Sequence, residues 1–62
     1  MKKFVIDYVT EYHINSIECS SMENAVAVRN VLKAEGYKLR DYVLDNHLKR
    51  IPTVDGIAEI DA

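Results

Sequence analysis

Sixty-two residues at 7.1 kDa carry 48% hydrophobic and 29% charged side chains, with net charge −2 and a pI near 5.5. That size admits one small domain with a thin core, burying only ~60% of the surface its unfolded chain exposes. The apolar share excludes intrinsic disorder, the acidic balance argues against direct nucleic-acid binding, and no run approaches the ~20 apolar residues of a membrane span. Cys19 is the only cysteine, so no intrachain disulfide framework exists and a reducing cytoplasm is the expected compartment.

Residues 1–20 read as an antiparallel hairpin. Met1-Lys2-Lys3 before Phe4-Val5-Ile6 imitates a secretion signal, but Asp7 and Glu11 interrupt the apolar run within a few residues. Phe4, Ile6 and Tyr8 alternate with Val5, Asp7, Val9 and Glu11, the pattern of a half-buried strand. A second apolar run, Ile14 to Cys19, comes at once after it, with the turn at Glu11-Tyr12-His13 or at Asn15-Ser16.

Residues 21–36 read as a helix. Ser20-x-x-Glu23 fits a capping box, Ala25, Val28 and Leu32 form an apolar stripe flanked by Met22 and Val31, and Gly36 supplies a left-handed exit before Tyr37. Residues 37–50 are compatible with a third strand over Tyr37 to Leu44 or a second helix over Leu39 to Arg50. The strand is favoured, because a lone helix needs at least three strands to cover. Asp55-Gly56 is a turn signal, so residues 51–62 read as a short edge hairpin or a tail. The expected fold is α+β, a two-layer ββαβ-like mini-domain.

Little in the chain points to catalysis. Cys19 lacks a Cys-x-x-Cys partner and reads as a small core residue, although His13 could approach it across the hairpin. Asp45-x-His47 is the nearest approach to a metal-ligand pair, and neither spacing nor ligand count suits zinc. The two glycines, Gly36 and Gly56, form no phosphate-binding loop, and so small a chain has little room for a pocket of ~300–1,000 Å³. No enzyme activity, metal or organic cofactor is expected.

Charge is more informative. Phe4 to Glu23 holds four acids (Asp7, Glu11, Glu18, Glu23) and no base, whereas Arg29 to Arg50 holds six bases against three acids. Four tyrosines add amphipathic contact area, with Tyr12 at the hairpin tip and Tyr42 in the basic stretch as interface candidates. These features predict a non-catalytic module that binds another protein, with Asp7, Glu11, Tyr12, Glu18 and Tyr42 in contact. An acidic hairpin of this kind suits a basic, nucleic-acid-binding cleft on the partner. Without disulfide or metal, further contact surface is the remaining common source of stability, so a homo-oligomer or hetero-complex is expected. The alternative is a nucleic-acid-associated regulator or antitoxin-like partner using the basic 29–50 segment.

Ser21, Glu23, Ala25 and the Gly36-Tyr37 helix exit stand in an order of strand, strand, helix, strand. In that plan the chain resembles small early bacteriophage proteins that inhibit host enzymes, such as the RNA-polymerase inhibitors of T7-type phages. The resemblance spans about the middle third of the chain, and the segment after Asp45 departs from it. It implies a stoichiometric inhibitor acting in the host cytoplasm, with an acidic hairpin against a basic channel.

Overall fold

The computed structural model describes residues 1–61. β1 (Lys2–Val9) and β2 (Ile14–Cys19) pair antiparallel, with Phe4 opposite Cys19 and Ile6 opposite Ile17. Of the two turn positions the chain uses the first, where the Thr10 N–H donates to the His13 carbonyl at 2.8 Å. Next in the chain are α1 (Met22–Ala34), β3 (Lys38–Leu39), β4 (Tyr42–Leu44), β5 (Arg50–Pro52) and β6 (Ala58–Asp61). The molecule is a small α+β domain of ββαβ type. After Gly36 the chain takes the extended alternative, as two short strands rather than one.

Ser21 caps α1 rather than Ser20, accepting the Asn24 N–H on its Oγ at 3.2 Å. That one-residue shift puts Asn24 in the third helical position, so the Ser20–Glu23 capping box does not form. Glu23 instead sits in the first turn, where the helix dipole favours a carboxylate. The C-terminus closes on the expected glycine: Gly36 has φ +86°, its N–H donates to Lys33 C=O, and Tyr37 N–H donates to Leu32 C=O. This pair of bonds satisfies two of the helix's orphan carbonyls.

β1 is the centre of the main sheet. β2 occupies one edge, while the other is shared by β3, opposite Tyr8 and Val9, and β6, opposite Lys2 to Val5. The segment read as an edge hairpin or tail therefore completes the sheet, save Ala62, which lies outside the described residues. Asp55 and Gly56 do reverse the chain, with φ 54° and 87°, and Val54 and Ile57 exchange backbone bonds of 2.9 and 3.2 Å. Both central φ values are positive, the condition of a tight hairpin turn that Asp-Gly meets well. The outgoing arm then pairs with β1 and not with β5, because Ile57 and Ala58 are needed in the two cores.

Those cores lie on opposite faces of the sheet. Between α1 and the sheet, Ala25 and Leu32 of the helix meet Ile6, Cys19 and Ile57, with Phe4, Tyr8, Ile17 and Leu39 packed around them. On the other face the two-stranded β4–β5 ribbon lays Val43 and Ile51 against Val5, Ala58 and Ile60. The helix-on-sheet arrangement is thus joined by a ribbon on the side away from the helix.

The two glycines differ in what surrounds them. An added Cβ at Gly36 meets nothing, whereas at Gly56 it would stand 2.5 Å from Leu39 Cδ1. Gly36→Ala is expected to cost about 1–2 kcal/mol, the left-handed backbone term alone. Gly56→Ala should cost about 1–3 kcal/mol more through overpacking, read as a larger fall in the urea midpoint.

Candidate protein interface

The five residues expected to contact a partner do not form one surface. Asp7 is only 7% exposed. Its carboxylate accepts the Ser16 hydroxyl at 2.6 Å, and its carbonyl accepts the Arg40 N–H at 2.9 Å. Asp7, expected to contact a partner, is thus not on an open face: the ribbon covers that face of β1, and Ser16 lies directly across the strand pair. Glu18 is solvent-exposed but paired with Lys3 at 3.2 Å, near the far end of β2 from the hairpin tip. Glu11 and Tyr12 stand at the tip, Tyr12 81% exposed. With Asp7 buried and Glu18 paired, Glu11 is the one hairpin carboxylate left beside Tyr12.

The fifth residue, Tyr42, belongs to a different cluster. Along β4 and β5, Val43 and Ile51 turn inward, so Tyr42, Arg50 and Pro52 alternate to the outside. Arg40 precedes Tyr42 by two residues on the same alternation, and Arg50 lies diagonally across the ribbon. Their guanidinium carbons stand 4.1 and 4.5 Å from the Tyr42 ring centroid. Such stacking fixes two long side chains against an aromatic face. Leu44 is half-exposed at the rim of the same ribbon. Sequence reasoning finds Tyr42 but misses Arg40, Leu44, Arg50 and Pro52 as its neighbours. The signal lies in the period-2 spacing of Arg40, Tyr42 and Leu44, masked because Leu39 to Arg50 also reads as a helix.

At the ribbon's tip the Asp45 carboxylate accepts the N–H groups of His47 and Lys49, each at 2.8 Å. The Lys49 amide, ahead of His47, holds the Asp45 pKa below its ordinary 3.8. Leu48 N–H donates to the Asp45 carbonyl at 3.0 Å, and Leu48 itself has φ 61°. This is a turn closed by a left-handed residue, a place suited to Gly or Asn. Leucine there carries about 1–2 kcal/mol of backbone strain and, at 76% exposure, returns no burial to the monomer.

Other polar groups are committed within the fold. Arg29 and Lys33 of α1 hold Asp55 at 2.6 and 2.9 Å, which divides the basic 29–50 segment between two surfaces. Lys33 first, then Arg29, keeps the Asp55 pKa low. An open cavity of about 330 Å³ between the ribbon tip and the sheet is lined by Lys3, Ser16, Glu18, Asp45 and His47. No group of three His, Cys, Asp or Glu side chains suited to a metal occurs among the described residues. No helix among them is long and apolar enough to cross a membrane. No family model, curated protein or solved structure matches the chain.

Leu48→Gly should raise stability by about 0.5–1 kcal/mol in urea unfolding, the strain relieved less the added chain entropy of glycine. Acid should act oppositely. Because Asp45 and Asp55 have lowered pKa values in the fold, their contribution is full above the unfolded value of 3.8 and is lost as pH falls through and below it. The thermal midpoint should therefore drop on acidification below about pH 4, and Asp55→Asn should flatten that drop.

Proposed function

We propose that this protein is a small non-catalytic protein-binding module, acting stoichiometrically as an inhibitor or adaptor in a hetero-complex. The observation that carries this reading is the outer side of the β4–β5 ribbon. Tyr42, Leu44 and Pro52 are turned from both cores or sit at their rim, and the strained, exposed Leu48 stands at the tip. Tyr and Arg are the residue types enriched where interfaces concentrate their energy. The outer face of the ribbon sets Tyr42, Leu44 and Pro52 among Arg40 and Arg50, apolar surface inside a charged rim. The first hairpin supports the reading less well, since Asp7 is buried and Glu18 is neutralised by Lys3.

The test places a photo-crosslinking amino acid at Leu44 and irradiates the protein in extract of its source cells. A discrete stoichiometric adduct is expected. With the partner in hand, Tyr42→Ala should weaken binding by about 1–2 kcal/mol, mostly through the off-rate, while Glu11→Lys leaves the off-rate unchanged. Unchanged affinity in Tyr42→Ala would remove the ribbon as the interface.

A further inference from the structure

We infer that the partner segment seated on the ribbon is acidic, a run of Asp or Glu side chains set among apolar ones and held by Arg40 and Arg50. The inference rests on the ribbon being the interface and names the chemistry that it recognises. Among the described residues, Lys2 pairs with Glu59, Lys3 with Glu18, and Arg29 and Lys33 with Asp55. The other four cationic side chains, Lys38, Arg40, Lys49 and Arg50, meet no carboxylate of the described residues within 4 Å, and all lie in the segment that builds and flanks the ribbon. The acids of that segment do not answer them. Asp45 is taken by the backbone of its own turn, and Asp41 is exposed without an ion pair.

Arg40 and Arg50 differ from ordinary solvated cations because both guanidinium groups stand over the Tyr42 ring. Stacking uses a guanidinium's face and leaves its edge N–H groups for a carboxylate, which they match with two parallel hydrogen bonds. A carboxylate bound there would also offset the repulsion between two like charges held on one ring. Nucleic acid presents anions too, but the protein carries net charge −2, and the Leu44 and Pro52 surfaces beside the arginines offer nothing to a phosphate backbone. A protein segment alternating acidic and apolar side chains uses both.

The experiment is a ¹⁵N NMR titration of the full chain with three probes: a blocked hexapeptide alternating Glu and Leu, its Gln-Leu counterpart, and hexathymidylate. The Glu peptide should bind about three- to tenfold more tightly than the Gln peptide, with shifts centred on Arg40, Tyr42 and Arg50 and a preference that fades as salt is raised. The double variant Arg40→Gln, Arg50→Gln should abolish the preference while the protein still unfolds cooperatively, its melting midpoint lowered only by the lost contacts on Tyr42. Equal affinity for both peptides on the ribbon overturns the acidic preference and leaves the interface standing. Shifts centred on Glu11 to His13 or on β2 overturn both. Tighter binding of hexathymidylate, or self-association that competes with the Glu peptide, assigns the arginines to another occupant and overturns the inference. Binding of neither peptide overturns it as well, and the Leu44 crosslink then decides the interface separately.

Discussion

Val5 and Ile6 are neighbours in β1, they point to opposite faces of the sheet, and they are 5% and 0% exposed. A strand buried on both faces needs a cover on each side. The single helix supplies one, through Ala25 and Leu32. The second must come from the residues beyond Gly36, and the organisation of that half answers this need. β3 and β6 divide the open edge of β1 between them, and the short ribbon closes over Val5 and Ala58. Asp7 marks the junction, its side chain tied to β2 through Ser16 and its carbonyl tied to Arg40 at the ribbon's entrance. Two thin cores sharing one strand are the way this chain finds enough burial without an intrachain disulfide.

The first hairpin and the helix are legible in the sequence because each repeats its own period over enough residues. Six paired positions in the hairpin and a stripe of Ala25, Val28 and Leu32 cannot be confused with one another. Elements of two to four residues have no period to read, which is why 37–50 divides between strand and helix and why β6 passes for a tail. Asp7 misleads for a related reason. Alternation shows that Val5, Asp7 and Val9 share a face, but it is silent on whether a distant segment covers that face. The polar residue suggests water, whereas the fold supplies Ser16 as its partner. The capping shift from Ser20 to Ser21 is a smaller case, two adjacent serines offering the same hydroxyl one residue apart.

The same limits hide most of the candidate interface. Tyr12 is legible as an exposed tip residue, and Tyr42 as an aromatic among charges. That Arg50 reaches Tyr42 depends on the β4–β5 register, in which Leu44 opposes Arg50 and Tyr42 opposes Pro52. Register is set by the turn, and the turn closes on Leu48 in a left-handed conformation that leucine does not announce. Asp45, a common turn residue, ties that turn through its carboxylate, but the left-handed position within it falls to a residue type that does not argue for one.

Arg40 and Arg50 serve the ribbon in two ways at once. A half-buried tyrosine on a two-stranded ribbon would leave an apolar ring bare to water, and their side chains cover it in the free protein. The cover also restrains the guanidinium groups. Much of the ordering that an interface ordinarily demands of long side chains, about 0.5–1.5 kcal/mol for each, is met before any partner arrives. On the proposed reading, packing within the fold and readiness for an anion are two results of one stack. Leu48 adds the complementary point, since strain in the tip turn lowers the monomer's stability and can be recovered only where its exposed side chain finds apolar contact outside the chain.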